Sequence, residues 1–329
     1  ATGALHRGDQ RTLTSIGAMI IHANSITSTK ATALTTSGAL TITGPMQAYA
    51  GNIALTSSFD VNLNSDVTTH GAGDNITITT PTNVTIAPAS TRLITSAGSI
   101  SVQSNGINSG AATVSANGDV ELHGEWTASA GSLAIDSTSA NVVLHNDINN
   151  TQSGDLLVQA AASIVLGQNR ALMSVGDLEL KSATITSTSC AATASGVLTV
   201  EGDWTSSSGG SLSFIAAQST LRSKIDTSTG GNLTITTVGT TTLSNTPTWT
   251  LGGSLVLVAS NTLSSGATVS AKHDIRLTGA WVTTNGDLTM LGGTMTLNDD
   301  VTTTTGITVT GALNTGTDTI LVDADASTA

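Results

Sequence analysis

Apolar and polar residues alternate along this chain in short runs, and most runs follow a glycine. The recurring unit is a Gly, usually one polar residue, then apolar–x–apolar. It is seen in "NGDVEL" at Val120, "VGDLEL" at Leu178, "GGSLVL" at Leu255 and "NGDLTM" at Leu288. Alternation over a few residues after a glycine predicts a short strand with one buried face. The glycine marks the corner before the strand, where a Cβ is disfavoured. Asp119, Asp155, Asp177 and Asp287 follow such glycines and are expected to bind nearby N–H groups of their own turn. No stretch of helical period with caps competes with this reading.

A longer period overlies the short one. Trp126, Trp204 and Trp281 recur at almost equal intervals. "SANVVLHNDINN" from Ser139 aligns with "SFDVNLNSDVTT" from Ser58 and "GGTMTLNDDVTT" from Gly292. The chain reads as about four modules of roughly 78 residues each, at approximately 11–90, 91–168, 169–245 and 246–329, within one continuous solenoid over 1–329. One module carries about seven strand heads: Val120, Leu133, Val142, Leu156, Ile164, Leu178 and Ile185. Every second head returns after some 20–23 residues, which suits one turn of a right-handed parallel β-helix. The expected fold is all-β, a β-solenoid of about fifteen coils and ~70 Å length at the usual strand spacing. An array of β-sandwiches is the rival, but it would not demand the same unit several times within each module.

Composition narrows the picture. Charged residues are 10% and aromatic residues 2% of the chain, while 38% is hydrophobic and the mean hydropathy is +0.18. That apolar content argues against disorder, and the shortage of aromatics fits a thin core of stacked aliphatics. The net charge of −12, with ten scattered basic residues, makes nucleic acid an unfavourable partner. No apolar run approaches the ~20 residues that cross a bilayer, so membrane insertion is not expected. The first residues, "ATGALHRGDQ", lack the charged and apolar regions of a signal peptide. Cys190 is the only cysteine, which excludes an intrachain disulfide and reads as a small buried residue.

The repeated "NGDVEL", "VGDLEL", "NGDLTM", "SGALTI" and "ASGVLTV" units resemble the filamentous-haemagglutinin-type β-solenoids of bacterial surface adhesins and exoproteins. The resemblance covers essentially the whole chain. It implies an extracellular protein, at the cell surface or secreted, acting as a stalk or adhesive fibre.

Candidate chemistry is sparse. Asp299 and Asp300 are the only adjacent carboxylates, in "LNDDVTT", and equivalent segments place them in a repeated turn. Glycoside cleavage needs two carboxylates facing one cleft; an enzyme is not expected. The six His are dispersed without metal-ligand spacing, so neither a metal nor a cofactor is expected. Arg7, Gly8 and Asp9 form an RGD triplet, a candidate receptor motif. Trp126, Trp204 and Trp281 are either glycan-stacking platforms or packing residues covering a corner between strands. Met46 in the equivalent "GPMQAYAG" favours packing, since Met fills a gap but offers no aromatic face. The expected function is a non-enzymatic structural protein, a rod or filament-forming subunit or stalk of a surface adhesin that associates end to end. Its partner is then another copy or the flanking coils of a larger protein. The alternative is an adhesive module whose lateral face recognises glycans or a host receptor.

Overall fold

The computed structural model describes residues 4–7, 11–87, 91–316 and 321–323. They form short strands and turns with no helix. The chain divides into two compact units, Ala1–Val165 with Met173–Val175 and Leu166–Leu172 with Gly176–Ala329. Both are stacks of parallel coils, making a β-solenoid of about 14 turns over the chain, close to the number expected from the spacing.

In the first unit, the stacking runs residue on residue. Ile53 pairs with Ile76, Ile76 with Ile100, Ile100 with Val120 and Val120 with Val142. All five are fully buried. Successive turns here differ in length, so the corners absorb the variation while the strands hold register. Each buried Leu, Ile or Val stabilises by about 1.5–3 kcal/mol, but only against the turns beside it; one coil alone has no interior. In the second unit, Leu212, Leu233, Leu255 and Ile275 form the corresponding column.

The sequence heads at Leu178 and Ile185 lie in one strand, Leu178–Ser187, not two. The same holds for other long strands, which pass through a bend where the register slips, as between Gln103 and Gly106 or Val258 and Asn261. The bend in Val120–Ala128 is at Gly124, with φ +116°, and that in Ile275–Thr283 is at Gly279, with φ +98°. Both conformations favour glycine.

Buried hydroxyls close the corners. Ser57 Oγ donates to Gly38 O at 2.7 Å, Ser137 Oγ to Gly118 O at 2.8 Å and Thr227 Oγ1 to Gly231 O at 2.7 Å. This explains why inward strand ends are so often Ser or Thr: a corner carbonyl turned inward needs a donor.

Two of the corner aspartates, Asp119 and Asp177, meet N–H groups beyond the local turn expected. Asp119 Oδ1 accepts from Asn141 N at 3.0 Å and Asp177 Oδ1 from Val197 N at 2.7 Å, each one turn further along the chain. Corners stack at the strand spacing of ~4.8 Å, so the nearest unmet N–H belongs to the next coil. The first unit builds a ladder this way, with Asn75 N donating to Asn52 Oδ1, Ser99 N to Asn75 Oδ1, Asp119 N to Ser99 Oγ and Asn141 N to Asp119 Oδ1.

Candidate functional site

The tryptophans are interior residues. Trp126, Trp204 and Trp281 are each 1% exposed, and Trp249 is fully buried. Trp126 lies between Ile107 and Ile148 of the adjoining turns, and Trp204 between Ile185 and Ile225. They do not cover a loop between strands, the arrangement expected for the packing role. The bend at the glycine keeps the strand going, and Gly–x–Trp places the indole on an inward position of the alternation. Such rings present no face to a sugar. Their N–H groups are met identically: Nε1 of Trp126, Trp204 and Trp281 donates to Oγ of Ser109, Ser187 and Ser264 at 2.8, 3.0 and 3.0 Å. Met46, on the equivalent inward position, is 2% exposed between Ile26 and Val67. Replacing Ser187 by alanine strands a buried donor, so a loss of about 1–3 kcal/mol is expected in urea melts. An unchanged midpoint would show that the bond contributes nothing.

Among the described residues, the remaining sequence candidates are not brought together. Gly8 and Asp9 lie outside the described residues, as does the side chain of Arg7. Asp299 Oδ2 accepts from Gly279 N at 2.8 Å and so serves the bend of the preceding turn. Cys190 is buried.

The structure does gather three residues that the sequence reading left apart: Glu121, His123 and His145. Glu121 and His123 are two apart on strand Val120–Ala128 and share its outward face. Leu122 pairs with Leu144, which sets His123 beside His145 of the next turn. Both imidazole Nε2 atoms lie 3.0 Å from the same oxygen, Glu121 Oε1. The two rings stack with centroids 3.7 Å apart and planes 8° apart. The side chains are about two-fifths exposed: 36% for His123, 38% for His145 and 43% for Glu121.

The hydrogen bond from His123 holds the Glu121 carboxyl below the usual carboxylate range; burial opposes this, and the bond from His145 supports it. Asn146 Oδ1 accepts from Gly124 N at 3.0 Å and fixes the bend beside the cluster. His123 also borders a shallow, open groove lined by Thr79, Pro81, Gln103, Ser104 and Asn105. The available signal was "Leu–His" recurring after one turn, at Leu122–His123 and Leu144–His145. It becomes meaningful only once the length of the turn at that place is known.

No protein-family model, curated protein or solved structure matches the chain, so what it is similar to stops at the architecture: a repeat protein of the parallel β-solenoid class.

Proposed function

We propose that this chain is a non-enzymatic structural protein that forms filaments by end-to-end stacking of its coils onto those of another copy. One observation carries the reading. Leu13 is 40% exposed although Leu34, on which it stacks, is 1% exposed. Leu313 is 39% exposed although its stacking partner Met295 is fully buried. Both leucines hold positions that are interior on neighbouring turns. Because the turns repeat one pattern, a coil of a second copy brings a matching register and matching apolar side chains. We further propose, from the resemblance of the repeated units to those of surface adhesins, that such a filament lies outside the cell.

The test is electron microscopy and sedimentation of the purified chain over a range of concentrations. Fibres that lengthen with concentration, with an axial repeat of one subunit, are expected. Leu313→Glu buries a charge at the joint and should leave single subunits. A wild-type chain that stays monomeric at every concentration overturns the proposal.

A further inference from the structure

We propose that Glu121, His123 and His145 form a binding site for a divalent transition-metal ion of the zinc, copper and nickel class, clipping two successive turns together. The inference is independent of filament formation. Two imidazole nitrogens and one carboxylate oxygen suit this class of ion, whereas calcium and magnesium take sets of oxygens.

The geometry is close to what an ion needs. The three donor atoms lie within 4.8 Å of one another, and each nitrogen is 3.0 Å from Glu121 Oε1. Bonds of about 2.0–2.2 Å place two ligand atoms roughly 2.9 Å apart at a right angle and roughly 3.3 Å apart at a tetrahedral angle. An ion therefore replaces the protons now shared between the imidazoles and the carboxylate. The stacked rings must turn about Cβ–Cγ to aim both lone pairs at it, a torsion that is soft for histidine. Two ligands come from one strand, Val120–Ala128, and the third directly follows its paired strand Val142–Leu144, so the backbone has little to rearrange. The partial exposure of all three leaves room for water at the remaining positions.

Other turns supply an internal comparison. The place of His123 and His145 is taken elsewhere by Thr43 and Asn64, by Glu201 and Arg222, and by Thr278 and Asn298. Asn64 Nδ2 donates to Thr43 Oγ1 at 3.4 Å, Asn298 Nδ2 to Thr278 Oγ1 at 3.0 Å, and Arg222 Nη1 lies 3.7 Å from Glu201 Oε2. The fold thus requires only a compatible polar pair at this place. Two histidines with a glutamate beside them exceed that requirement, and Glu121 is itself replaced by Thr41, Thr199 and Arg276 in the equivalent strands.

The same comparison provides a variant compatible with the fold: H123T with H145N installs the pair found at Thr278 and Asn298. The full chain, stripped with a chelator, is titrated with zinc chloride by calorimetry. One ion per chain with micromolar or tighter affinity is expected, weakened at least 100-fold in the double variant and at least tenfold in E121Q. Zinc should also raise the melting temperature of the wild type but not of the double variant. Zinc affinity equal in the wild type and a folded double variant overturns the site. Copper-loaded wild type gives a reading that needs no variant. Electron paramagnetic resonance showing two nitrogen ligands supports the proposal, and a spectrum with oxygen ligands alone overturns it.

Discussion

Trp204→Ala is expected to lower stability by about 3–5 kcal/mol, among the largest costs any single side-chain truncation can have here. The indole is 1% exposed, stacks between Ile185 and Ile225, and has the Phe214 ring 5.2 Å away at a 46° tilt. Truncation leaves a void that turns locked in hydrogen-bonded register cannot close, because moving one turn inward breaks its ladders to both neighbours. It also removes the donor to Ser187 Oγ. Trp204→Phe retains most of the volume and should lose clearly less. The measurement is a urea melt followed by circular dichroism and by hydrogen exchange of the turns around Trp204. A cost below about 1 kcal/mol, well under the usual range for such a truncation, would show that the ring is loosely held and that adjoining turns can relax around it.

Gly279→Ala should cost more than about 3 kcal/mol, combining backbone strain with overpacking. A Cβ built on Gly279 would lie 1.7 Å from the carbonyl oxygen of Ala259, on the turn before. That oxygen belongs to backbone held by its own ladder, so the turns must part or the bend must straighten. Straightening would rotate Trp281 out of the interior, since the bend puts the indole on its inward position. Gly17 separates the two contributions. Its φ is +108°, close to the +98° of Gly279, but a Cβ there meets nothing within 4 Å. Gly17→Ala should therefore cost only the strain, about 1–2 kcal/mol. Equal costs at the two positions, measured in parallel melts, would refute the account of close approach between turns.

Much of the architecture is legible in the sequence. Alternation after glycine located the strands at Val120, Leu133 and Leu156, because a strand with one buried face has a period that no other element shares. Recurrence at a near-constant interval indicated coils, because a stack of parallel turns repeats its inward residues once per turn. Single burial followed for the same reason: the residue that packs on one turn is packed upon by the next.

The candidate site was less legible. His123 and His145 lie one turn apart, and the turns of the first unit are not all of one length. An uncertainty of one residue in the turn moves a side chain to the opposite face. Sequence alone could not tell whether His145 falls beside His123, beside Gly124, or inside the coil. Asp119 and Asp177 depart from the expected local turns for a related reason. Their partners are near in space through stacking and remote along the chain, so local turn chemistry pointed to the wrong N–H.

By itself, then, the sequence determined the class of element, the parallel stacking and the approximate turn, since these follow from periodicities that hydrophobic burial imposes on any such chain. Only the tertiary structure decided which way Trp126, Trp204 and Trp281 face, which N–H the carboxylates of Asp119 and Asp177 meet, and that Glu121, His123 and His145 converge on one point. Those outcomes depend on register between turns, and register is fixed by bends such as Gly124 and by ladders whose two sides lie a full turn apart along the chain.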